Sequence, residues 1–181
     1  MSKGEPDEKK GAGQENWFII MHRNGPTWTG EPGPFEKNGW AEYQKGFGSI
    51  ANYGNFWWGL ENLHQRTRTG KWNVMFKFKA YYGGSAVIKY HDFSVASGQD
   101  KYRVSIGKNY QYEGPPKLEK YIKAIQGINN KRFSTIDADN DEDNWHGLAR
   151  WGRGGFWFNG IRLRPFTGNF HDETLMAISP A

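Results

Sequence analysis

The sequence predicts an α+β fold in which an antiparallel sheet and a few short helices support a long, loop-rich C-terminal portion. Three observations lead there. Between Lys71 and Ile106, apolar and polar residues alternate in three successive stretches, the period of half-buried strands. Aromatic residues reach 17% and there are 24 glycines among 181 residues, while the hydrophobic total is only 36%. That mix suits an aromatic core under many loops and not a helical bundle, which would need more Leu and Ala. Beyond Arg132 the periodicity is lost, and five carboxylates (Asp137, Asp139, Asp141, Glu142, Asp143) crowd into seven residues of a chain whose net charge is +5.

Residues 1–15 are polar and glycine-rich with no apolar face to bury, the composition of a disordered tail. One domain of ordinary size over residues 16–181 follows. Trp17 to Arg23 is a β-branched and aromatic run that reads as a buried strand, stopped by Asn24-Gly25-Pro26. Residues 26–39 read as Gly/Pro-rich loop. A short helix carrying Trp40 and Tyr43 is expected between Gly39 and Phe47, and a second one, with Leu60 and Leu63 on one face, from Gly59 to Arg66. Lys71–Lys79, Ser85–Phe93 and Lys101–Ile106 supply the alternating strands, and a three-stranded antiparallel meander is the simplest arrangement for them. Leu118–Ile125 is amphipathic at helical spacing, and Thr174–Ile178 is strand-like. These elements divide the domain into a central sheet portion of about residues 16–125 and a loop-rich portion of about 126–181.

Several classes of chemistry are disfavoured. The chain has no cysteine, so neither disulfides nor thiolate metal sites are available, and no stretch approaches the length of a membrane span. The five histidines are scattered, with no nucleophile elbow and no phosphate-binding glycine loop, so the chain reads as non-catalytic. The basic residues are spread along strands and not gathered into one motif, which argues against nucleic acid as the partner.

Like charges packed as closely as the five carboxylates must be fully solvated or gathered around a cation, and both readings are open from the pattern alone. Hard oxygen donors at alternating positions suit calcium. An EF-hand is ruled out: starting at Asp137, its glycine and bidentate-glutamate positions are Glu142 and Leu148, and starting at Asp139 the latter becomes Arg150.

A run of markers in one order gives the chain a family likeness. Trp17 opens the first strand, followed by Tyr43-Gln44-Lys45-Gly46-Phe47-Gly48 and the stretch from Asn55-Phe56-Trp57-Trp58-Gly59 to His64. Ala86–Tyr90, Tyr102-Arg103-Val104, Phe133-Ser134-Thr135 before Asp137–Asp141, Phe156-Trp157-Phe158-Asn159 and Met176–Pro180 complete the series. In these residues the chain resembles the fibrinogen-related domain, the C-terminal module of fibrinogens, ficolins, tachylectins and angiopoietins, over residues 16–181.

The resemblance implies one calcium ion held by the side chains of Asp139 and Asp141 and by carbonyl oxygens near Asp143 and Trp145. It implies a recognition pocket beside that loop, with Trp157 and Phe158 where the aromatic lining is expected, although both rings also suit the core. Arg153 and Arg162, near Trp151 and Trp157 in sequence, could bind an anionic group bidentately or form a solvated basic face. The expected function is calcium-stabilised, lectin-like binding of acetylated or anionic glycan or peptide groups. A structural or assembly subunit, including a homo-oligomer, is the alternative, and the resemblance implies secretion. Two departures stand out. Leu148 and Ile161 occupy the positions where the family places a disulfide, and the segment between Gly168 and Met176 is short for the family.

Overall fold

A computed structural model describes residues 16–24, 32–51, 54–80, 84–143, 147–160 and 171–181. In chain order its elements are β1 (Phe18–Asn24), α1 (Pro34–Lys37), α2 (Trp40–Lys45), β2 (Phe47–Gly48), β3 (Phe56–Trp57), α3 (Leu60–Thr67), β4 (Trp72–Ala80) and β5 (Gly84–Tyr90). They continue with β6 (Ser94–Val95), β7 (Val104–Ser105), β8 (Tyr110–Glu113), α4 (Lys120–Gln126), α5 (Leu148–Gly152) and β9 (His171–Pro180). One sheet takes seven strands in the order β2-β3-β1-β9-β4-β5-β8, every pairing antiparallel. The remaining pair, β6 with β7, stands apart from it.

The alternation along β4 does what its period requires. Val74, Phe76 and Phe78 are fully buried, whereas Lys77 and Lys79 on the opposite face are exposed. Each such apolar side chain taken from water contributes about 1.5–3 kcal/mol. β9 is the finding that periodicity did not convey. It is longer than Thr174–Ile178 and lies in the middle of the sheet, with Met176↔Phe76 and Ile178↔Val74 on one side and Met176↔Met21 on the other. Met176, Ala177 and Ile178 are all buried, so its two faces are both covered and its apolar run is continuous where a half-buried strand would alternate. The C-terminal segment thus re-enters the sheet portion.

The meander's third strand is also not where alternation puts it. Lys101 and Tyr102 take positive φ (53° and 50°) after a 3-10 turn at Gly98–Asp100. This corner turns Val104 toward the loop strand below it: its N–H donates to Lys131 O at 3.0 Å and its carbonyl accepts from Asn130 N at 2.8 Å. Tyr102, Val104 and Ile106 are buried, so the alternation reflects real packing, but the edge of the main sheet beyond β5 belongs to Tyr110–Glu113. The helices at Trp40–Lys45 and Leu60–Thr67 match expectation, and Leu118–Ile125 divides into a 3-10 turn and α4. α1 lies inside the stretch read as loop, with Pro34 in its first turn and Phe35 buried.

Between α2 and the loops beyond Arg132 sits a cluster of rings. Phe133 is 5.0 Å from Trp157, 5.4 Å from Tyr43 and 5.7 Å from Trp57, centroid to centroid. Aromatic pairs at such spacings add about 0.5–1.5 kcal/mol each beyond the area they bury. Their polar ends are satisfied inside. Tyr43 Oη donates to Phe35 O and accepts from Gly155 N, Trp57 Nε1 donates to Tyr43 O, and Trp157 Nε1 donates to Tyr102 O. Gly155 is needed for proximity: a Cβ there would lie 2.7 Å from Phe133 Cε1 and 2.9 Å from Tyr43.

Candidate functional site

The five carboxylates separate into three tasks. Asp137 pins the acidic loop to the start of α2, accepting from Trp40 N at 2.9 Å and Thr135 Oγ1 at 2.6 Å. Those donors, the hydroxyl first, hold its carboxyl below the usual range. Glu142 reaches outward to Lys131 Nζ at 2.6 Å, which lowers its pKa likewise. Asp139 and Asp141 accept bonds from the loop's own backbone, Asp139 from an exposed position and Asp141 half-buried. Asp139 Oδ1 accepts from Asp141 N, Asp141 Oδ1 from Asp143 N at 2.9 Å, and Asp141 Oδ2 from Leu148 N at 3.0 Å. Gly147 passes close to Asp139 Oδ2, 3.6 Å from the site of its absent Cβ, so Asp139, Asp141, Gly147 and Leu148 lie together.

These contacts give Asp141 an unusual environment. Burial raises its carboxyl above the ordinary range, and the adjacent Asp139 raises it further, against the lowering effect of the two N–H donors. Two acids so placed, neither in an ion pair among the described residues, carry charge that a cation would neutralise. The donors are hard oxygens, which fits calcium. No set of three or more His, Asp or Glu converges among the described residues, so any shell would be completed by backbone oxygens and water. Asp143 is half-buried beside the pair, and Trp145 lies outside the described residues.

A polar groove runs alongside. One cavity of about 300 Å³ is lined by Arg103, Lys131, Arg132, Asn140, Asp141 and Glu142, with Phe158 at its base. A second, of about 320 Å³, shares Lys131, Glu142 and Phe158 with it and adds Asp143, Leu148, Asn159 and Gly160. Backbone pairing explains why two distant segments form its basic wall. Phe133 N donates to Lys101 O and Val104 N to Lys131 O, which sets Arg103 next to Lys131 and Arg132. Arg103 grips Asp100 with two bonds (2.7 and 2.9 Å) and Asn130 O with a third. These contacts hold the Asp100 carboxyl below its usual range.

The sequence-derived lining residues fare unequally. Phe158 is 4% exposed and floors both cavities. Trp157 is a correction: it is 0% exposed, its indole N–H is spent on Tyr102 O, and it packs on Phe133, so it is a core ring with no face for a ligand. Arg153, in a left-handed conformation after α5, is exposed, and it does not line the groove. Arg162 and Ile161 lie outside the described residues. Leu148, at the family's half-cystine position, is buried as an aliphatic replacement should be. Arg103, Lys131 and Arg132 were missed as groove residues, because nothing in their spacing announces that Val104 pairs with residues 130 and 131.

Three histidines make structural bonds: His64 Nδ1 donates to Val95 O, His91 binds Asn73, and His22 lies between Gly54 O and Glu173. Among the described residues no helix is long and apolar enough to cross a membrane.

The model of the C-terminal globular domain of fibrinogen beta and gamma chains matches residues 10–177, and the chain belongs to that family. Angiopoietin-4 from Homo sapiens is 29% identical over 158 residues, covering 86% of this chain and 28% of its own length. Its Bos taurus counterpart is 31% identical over 160 residues, covering 85% and 30%. The chain therefore spans less than a third of these two relatives. The fibrinogen-like globe domain of human ANGPTL2 superimposes with a TM-score of 0.72 at 23% identity, covering 96% of this chain and 83% of that one. A lamprey fibrin D-dimer complexed with a Gly-His-Arg-Pro amide peptide gives 0.69 at 18%, covering 92% and 62%. Relatives of this kind are non-catalytic binding domains.

Proposed function

We propose that this chain is a calcium-stabilised recognition module that holds an anionic or acetylated group of an extracellular glycan or protein in the groove beside Phe158. The observation that carries the reading is the close placement of Asp139 and Asp141 within a loop that lines the groove. The two side chains would hold the ion, with backbone oxygens around Asp143 and Trp145 completing the shell. Bound calcium supplies charge neutralisation at two crowded carboxylates and fixes the loop. The chain's own residues then do the recognising: Phe158 offers an apolar floor, and Lys131, Arg132 and Asn140 offer donors to an acceptor-rich ligand. Membership in a family of secreted proteins supports a location outside the cell.

A protein ligand is the second reading, favoured by the peptide complexed with the lamprey relative. A panel of sialylated, sulfated and N-acetylated sugars, together with free peptides, titrated with calcium and with chelator, tests both. Calcium-dependent binding of a sugar supports the lectin reading. Binding of peptides alone replaces it with the protein-ligand reading, and binding of neither removes the recognition groove.

A further inference from the structure

We infer that the basic wall of the groove is an oxyanion site for one sulfated or carboxylated sugar residue, in which the Glu142 carboxylate is a resident competitor. The inference rests on the groove reading above and names its ligand class. Arg132 is 51% exposed and lines the cavity, and its single hydrogen bond among the described residues is a long one, Nε to Asp100 Oδ1 at 3.4 Å. Both of its Nη groups are therefore available to a planar or tetrahedral oxyanion, in the bidentate geometry that guanidinium offers. Lys131 Nζ, the second donor, is occupied at 2.6 Å by Glu142, whose own side chain is 76% exposed. An ion pair so open to water is weak, and the glutamate can swing out at small cost.

The charge balance fits displacement. Arg103, Lys131 and Arg132 face Asp100 and Glu142 across the wall, with Asp141 at its margin. Asp100 is committed to Arg103 by two bonds and does not leave. Glu142 is the only one of these carboxylates held by a single, exposed hydrogen bond among the described residues, with Arg103 and Arg132 acting on it through charge alone, so it marks where a ligand's anionic group would sit. A cavity of about 300 Å³ is at the small end for ligand sites and fits one sugar ring with its substituent better than a length of peptide.

The test is calorimetric titration of the whole chain with a 6-sulfated N-acetylglucosamine, its unsulfated parent and an acidic tetrapeptide. Wild type is compared with Arg132→Gln, Lys131→Met and Glu142→Gln, each checked for fold by near-ultraviolet dichroism. The expected result is sulfate-dependent binding, weakened about tenfold or more in Arg132→Gln and Lys131→Met, and tightened roughly threefold in Glu142→Gln. Equal affinity for sulfated and unsulfated sugars, unaffected by these variants, overturns the oxyanion site and leaves the groove reading standing. Binding of the acidic peptide alone overturns the sugar class. Binding of none of the three probes overturns the groove reading with it.

Discussion

Replacing Trp157 by Phe separates a core ring from a ligand platform. The indole is 0% exposed, donates to Tyr102 O at 2.7 Å, and has Phe133, Phe156 and Trp57 within 5.0–6.2 Å. Phenylalanine removes the donor, leaving a buried carbonyl short of a partner, at a cost of about 1–3 kcal/mol. It also leaves a void where the second ring was, worth roughly another 1 kcal/mol. A total of about 2–4 kcal/mol corresponds to a fall of about 4–16 °C in melting temperature for a domain of this size. Differential scanning calorimetry and near-ultraviolet dichroism measure the loss, and a ligand titration below the transition measures affinity. The account expects a large drop in melting temperature with little change in affinity of the folded protein. A melting temperature within a degree of wild type, combined with lost binding, would refute the placement of this ring in the core.

Three further outcomes follow from the geometry. Gly155→Ala drives a methyl group against Phe133 and Tyr43 and is expected to cost about 1–3 kcal/mol, read as a shifted denaturant midpoint; an unshifted midpoint would mean the ring cluster is loose. Asp137→Ala removes the bonds from Trp40 N and Thr135 Oγ1 that pin the loop, so calcium affinity measured by titration should fall even though this residue is not a proposed ligand; unchanged affinity would show that the pin is dispensable. The Asp100 carboxyl is held low by Arg103, so its folded pKa lies below the unfolded value of about 3.9. The stability it contributes is present above that value and disappears as pH falls through the folded one, so the gap in melting temperature between wild type and Asp100→Asn should close in acid; a gap that widens in acid contradicts the pairing.

Local pattern conveyed the parts of this fold that local physics determines. The β4 alternation, the two helices after Gly39 and Gly59, and the inward aromatic residues all follow from periodicity and punctuation. Parts decided by long-range pairing were hidden. β9 lacks alternation because it is covered on both faces, and nothing near Met176 says that Met21 and Phe76 flank it. Tyr102, Val104 and Ile106 alternate like a sheet strand, yet a left-handed corner at Lys101 and Tyr102 sends Val104 to Lys131. Pro34 was a usable helix-start signal that a Gly/Pro-rich neighbourhood masked. At the site, charge density marked the acidic loop, but only the folded chain divides it, giving Asp137 to α2, Glu142 to Lys131, and leaving Asp139 beside Asp141.

The most direct test is the thermal unfolding of wild type and of an Asp139→Asn, Asp141→Asn double variant, in saturating calcium and in chelator. An ion bound only by the folded state, at about a hundred times its dissociation constant, adds about 2.7 kcal/mol. At this size that amounts to about 5–11 °C for wild type, and the double variant should melt at one temperature in both buffers. A wild-type melting temperature that is the same in calcium and in chelator would contradict the account.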